Sequence, residues 1–123
     1  MKVKWLIWLY VAILLYVTVP LMSMGSGLYD PFTKNITVSE RCHPFIYQHE
    51  MGHKLWWEKV GLVKGYTIRL ITFGLYDEIQ ADMFGFKAYP VVGQKWIIAH
   101  IMLYGGLAIT VILTISRIIK EVK

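Results

Sequence analysis

Residues 49–53 read His49-Glu50-Met51-Gly52-His53, two histidines four apart with a carboxylate next to the first. On a helix of about 3.6 residues per turn, positions four apart differ by only about 40° around the axis. Both imidazoles therefore leave one face, one turn apart, and can share a metal ion. Glu50 is offset by about 100° from His49. That places it beside the ion rather than on it, where it can act as a base toward water. Two histidines leave a tetrahedral site incomplete, because catalytic zinc takes three protein ligands and leaves the fourth position to water.

A second segment offers the missing ligand. Asp77-Glu78-Ile79-Gln80-Ala81-Asp82 puts Glu78 and Asp82 four apart, again on one helical face. Glu78 would complete a His₂Glu set. Asp82, one turn on, can accept the outer N–H of a ligating histidine and fix its tautomer. Ala81 is small enough to let two helices approach. Glu58, nine residues past His49, faces roughly the opposite side, and Asp77 points about 100° away from Glu78. His43, His100 and Cys42 are able ligands that the sequence alone leaves unplaced. The competing interpretation is two polar histidines on a half-exposed helix, since H-E-x-x-H fixes three positions and recurs by chance. The second element, on its own helix with matching spacing, weighs against that.

The elements that must position these residues follow from local pattern. Residues Pro44 to Val60 read as a helix with proline in its first turn and a stop at Gly61. A second helix is predicted from Tyr76 to Ala88, ended by Tyr89-Pro90. Residues 24–35 read as turn and loop, and Ile36–Val38 as a short strand. Between Gly65 and Gly74, YTIRLITF reads as a strand or a tight connecting segment. Trp56-Trp57 is expected to cover the membrane surface or pack a small core rather than to bind substrate.

Charge is distributed unevenly around this segment. Of 123 residues, 21 are formally charged, yet residues 5–23 and 96–116 contain none. Each run is close to the ~20 residues needed to cross a bilayer as a helix. Lys2 and Lys4 precede the first run, and Trp5, Trp8 and Tyr10 form an aromatic belt. A cleaved signal peptide is the alternative for that run, although it is long for one and lacks a clear cleavage site. The second run holds His100 one turn inside it, and Gly105-Gly106 would admit a neighbouring helix in a homo-oligomer.

Both tails carry +2 and the middle +1, so the tails are expected in the cytoplasm and the middle segment outside. Asn35-Ile36-Thr37 is a glycosylation sequon that fits an exterior loop. The net +5 lies mostly in the tails and gives no nucleic-acid footprint; Cys42 is the only cysteine, so no intrachain disulfide can form. The expected architecture is a mainly α membrane protein, with two transmembrane helices flanking a small zincin-like helical domain with little or no β-structure. Its parts are an N-terminal span over 1–23, a zinc-binding domain over 24–95, and a C-terminal span with a basic tail over 96–123.

HEMGH followed by DEIQADMFGF resembles the gluzincin zinc metallopeptidases, whose third ligand is a glutamate on a following helix. The E-x-x-A-D-x-F form and the short interval are similar to ImmA/IrrE-type peptidases, and the flanking spans to HtpX-type membrane peptidases. The resemblance covers about residues 44–88. It implies one zinc ion on His49, His53 and Glu78, Glu50 as general base, Asp82 supporting a ligand, and peptide-bond hydrolysis near the membrane. The substrate would be a peptide or protein close to the lipid bilayer, paired along Ile36–Val38 or Tyr66–Phe73. Tyr47, Tyr76, Tyr89, Arg69 and His43 are candidate donors to the developing oxyanion. A non-catalytic membrane protein with structural or sensory zinc is the alternative, in which His43 or Cys42 would close the fourth position.

Overall fold

The computed structural model describes residues 2–123; Met1, the first residue of the expected 1–23 span, lies outside them. Seven elements follow in order: α1 (Lys2–Met22), β1 (Gly27–Asp30), β2 (Asn35–Val38), α2 (Pro44–Val60), α3 (Leu62–Ile71), α4 (Leu75–Ala88) and α5 (Pro90–Val122). The chain is mainly helical with little strand. Two helices, Val3–Met22 and Pro90–Val122, are long and apolar enough to cross a membrane. α5 is continuous from Pro90, through the expected boundary between residues 95 and 96.

The sequence punctuation explains most of these ends. α2 starts on His43, whose Nδ1 accepts from the Phe45 amide at 3.0 Å, and Pro44 fills the first turn. Gly61 stops it at φ 82°, and its amide bonds to the Trp57 carbonyl at 2.9 Å. Residues 24–35 differ from expectation, because they contain β1. Asp30 Oδ1 accepts from the amide of Phe32 at 2.9 Å, and Lys34 takes φ 62°. This closes a hairpin in which Gly27 faces Val38 and Asp30 faces Asn35. The turn residues were legible as loop, but the four residues leading into them pair as a strand.

YTIRLITF also resolves differently from one of its two expected forms. Most of it belongs to α3, although β-branched and aromatic residues favour strands. Tertiary packing outweighs that preference: Gly65 lies flat on the Trp57 ring, where a Cβ would collide, and Ile68 joins the cluster of Tyr29, Trp56 and Trp57. Tyr66–Phe73 is therefore not a strand edge. Trp56 and Trp57 pack this small core, and each large aromatic ring buries about 150–250 Å². That anchors the hairpin and α3 onto α2.

Close helix contacts set the rest. Val17 and Leu21 of α1 pack on Ala99 of α5, with Met24 and Trp96 at the edge. The Tyr10 hydroxyl donates to the Met102 carbonyl and occupies the space left by Gly106. α4 lies between α2 and α5. It meets α2 where Gly52 rests on Ala81 and where Gly85 receives the Phe45 ring, and it meets α5 where Gly93 rests on Phe86. A Cβ at Gly52 or Gly93 would come within 2.8 Å of backbone, so these separations are fixed by the absence of side chains.

Candidate metal centre

One turn of α2 brings His49 and His53 together, with Nε2 atoms 3.1 Å apart. The Gly52–Ala81 contact brings α4 close enough for Glu78 Oε2 to lie 3.1 Å from His49 Nε2 and 3.4 Å from His53 Nε2. Ligand atoms of the three residues all fall within 4.8 Å of one another, so this group can hold a metal ion. The separations fit that use. Bonds of 2.0–2.1 Å in a tetrahedron place neighbouring ligand atoms about 3.3 Å apart. Three lone-pair atoms converging this closely are also unfavourable unless a proton or a cation lies between them.

Buried carboxylates lie behind both rings. Asp82 is fully buried, and its Oδ1 stands 2.7 Å from His49 Nδ1, which leaves Nε2 of that ring for the metal side. Its other oxygen bonds to Nδ1 of His100, on α5. Asp77, equally buried, lies 3.9 Å from both His53 Nδ1 and Arg69 Nη1. Burial pulls the His49 imidazole down, but Asp82 and Glu78 outweigh it and push its pKa up to about 10. Burial raises the Glu78 carboxyl, yet the two histidines dominate and hold it well below the usual carboxylate range.

Glu50 is buried beside this group. Its side chain crosses Gly27 of β1, where a Cβ would come 2.8 Å from Glu50 Cγ, and the Tyr29 backbone amide faces its carboxylate. Burial chiefly raises its pKa, against the lowering influence of His49 and His53. Glu50, His49, Glu78 and His100 together line a cavity of about 260 Å³, whose rim includes Gly25–Gly27. The metal group thus opens on space where a carboxylate of raised basicity is already placed.

All five residues singled out from the sequence, His49, Glu50, His53, Glu78 and Asp82, come together here. Two of the three other able ligands are placed elsewhere: His43 caps α2, while Cys42 lies beside Gly25. Nor do the expected oxyanion donors line the cavity. Tyr89 stacks edge-on against His43, Tyr76 packs on Trp56, Arg69 reaches toward Asp77, and Tyr47 is exposed. His100 lines it instead, with Nδ1 bonded to Asp82 and Nε2 3.6 Å from Glu78 Oε2. Its signal in the sequence was the single histidine inside an uncharged span. Asp77, which the helical angle places away from Glu78, lies on the far side of His53 without a hydrogen bond to it. No protein-family model, curated protein or solved structure matches the chain.

Proposed function

We propose that the chain is a membrane-anchored zinc metallopeptidase, with α1 and α5 spanning the bilayer, tails in the cytoplasm and the centre on the opposite side. The observation that supports this best is that Glu50 opens on one cavity with His49 and Glu78, two members of the group that can hold a metal ion with His53. A His₂Glu donor set suits zinc. Bound there, zinc would supply Lewis acidity, polarising a scissile carbonyl and increasing the acidity of water. Glu50 takes the proton of the attacking water on a carboxylate oxygen and delivers it to the leaving nitrogen as the C–N bond breaks. Gly25–Gly27 line the cavity, so an extended peptide would lie beside the start of β1 rather than along β2.

The open side of the group favours turnover over a structural or sensory metal, whose fourth position a protein ligand would close. Substrates are peptides or proteins near the membrane, where tethering raises effective concentration. The test is hydrolysis of a broad peptide library by the full chain in lipid vesicles. Activity should vanish on chelation, return with zinc, and be lost in a zinc-loaded Glu50→Gln variant. Full turnover by that variant would overturn the mechanism.

A further inference from the structure

The turn between α3 and α4 is unusual for a segment surrounded by charge. From Leu70 to Tyr76 there is no charged residue, and Leu70, Ile71 and Phe73 are 81%, 72% and 55% exposed. Three large apolar side chains within four residues form a tip with no protein covering among the described residues. Part of its backbone is paired. Gly74 N donates to Arg69 O at 2.8 Å, Thr72 N to Ile68 O at 3.0 Å and Leu75 N to Thr72 O at 3.1 Å. The Thr72 hydroxyl also donates to Ile68 O at 2.8 Å. Phe73 holds φ 55° and Gly74 φ 84°. A left-handed aromatic residue is uncommon, and this one is kept in a turn that leaves its ring exposed.

The position of this tip along α5 points to what covers it. A Cβ on Gly74 would lie 3.7 Å from Tyr104 Cε1. Tyr104 is eight residues past Trp96, where the uncharged stretch of α5 begins, a rise of about 12 Å. Leu21, near the end of the uncharged stretch of α1, packs on Ala99, so that end and the start of the uncharged stretch of α5 lie at one level and the tip lies beyond it. The charge beside the tip, Arg69, faces Asp77 at 3.9 Å. Lys64 is six residues before Leu70 on α3, about 9 Å back along the helix.

We propose that the Leu70–Phe73 turn is immersed in the hydrocarbon of the bilayer beside α5, as a third membrane contact between the two spans. The occupant of this apolar face is lipid, because the face is continuous, beside Tyr104, with the exposed apolar surface of α5 formed by Ile101, Leu103 and Leu107. The metal group, beside His100 and so about 6 Å past the Trp96 level, thereby lies just inside the membrane boundary. The inference rests on reading α1 and α5 as spans, and does not depend on catalysis.

The test uses the full chain with Cys42→Ser, reconstituted in phosphatidylcholine vesicles, with single spin-labelled cysteines at Leu70, Ile71 or Phe73. Ile109→Cys on α5 serves as the lipid reference and Lys87→Cys on α4 as the water reference. Collisions with oxygen and with a water-soluble nickel chelate are measured at each. The expected result is that the three tip positions match Ile109→Cys, with high oxygen access and loss of nickel access. Nickel access matching Lys87→Cys, while Ile109→Cys stays shielded, would place the tip in water and overturn the proposal. Low access to both reagents would mean a protein partner or second copy, and would equally overturn it. Nickel access at Ile109→Cys itself would overturn the spans together with the proposal.

Discussion

Gly52 rests directly on Ala81, with room for no side chain: a Cβ on Gly52 would stand 2.8 Å from Ala81 Cα and from Phe84 Cβ. This contact sets the distance between the helix that carries both histidines and the helix that carries Glu78. Gly52→Ala should therefore force α2 and α4 apart, destabilising the fold by about 1–3 kcal/mol as overpacking does. It should also weaken metal affinity without altering any ligand. Metal titration of the folded variant checks this, and unchanged affinity with a lowered melting temperature would separate the two effects.

Ala81 was legible in the sequence as the small residue between helices, because it lies inside the motif bearing Glu78. Gly52 was not, since it occupies a free position of H-E-x-x-H and a glycine in a helix interior reads only as unfavourable. The helix Pro44–Val60 was readable to the residue because proline, glycine and apolar spacing all agree there. α3 was ambiguous because its local preference for strand is overruled by a ring contact with Trp57 that no local pattern encodes. His100 belongs to the same class. Its partner Asp82 is 18 positions away, and only the pairing of α4 with α5 brings them together.

Asp82 joins His49 on one side and His100 on the other, so Asp82→Asn should disturb both rings. Supporting carboxylates of this kind contribute about 10–100-fold in metal affinity, and that loss is expected here. Asp77→Asn should cost less, because its oxygen is 3.9 Å from His53 Nδ1 rather than in close contact. Competition with a chromophoric chelator orders the two variants.

The metal-free protein should prefer mildly acidic conditions. The His49 pKa is lifted from 6.5 to about 10, so its contribution is full below about pH 6.5 and is lost as pH rises toward 10. Glu78 is lowered from 4.5, so its contribution is full above pH 4.5 and is lost only as pH falls through its depressed value. Glu50 and Asp77, both raised by burial, cost stability as pH rises above their ordinary carboxyl values, which weights the optimum toward its acid end. Melting temperature in chelator should thus be highest between about pH 4.5 and 6.5 and fall toward pH 10. With zinc bound, that alkaline decline should flatten, because the metal replaces the proton between the ligands.

Hydrolysis should show the raised basicity of Glu50 directly. The base must be ionised to accept a proton, so activity is lost as pH falls through its pKa. The acid limb of kcat/KM is expected above the ordinary glutamate value of about 4.3, because the carboxyl is buried beside Gly27. Glu50→Gln should abolish that limb and reduce kcat by about 10²–10⁴. An acid limb at the ordinary value would assign the proton transfer to a solvent-exposed group.

The account stands on a metal ion shared by His49, His53 and Glu78. Zinc content of the purified full chain, measured beside that of His53→Ala, tests it most directly. One zinc per chain in the wild type and none in the variant is the predicted result. A folded wild type that retains no zinc from zinc-supplemented buffer, or a variant that retains as much, would contradict it.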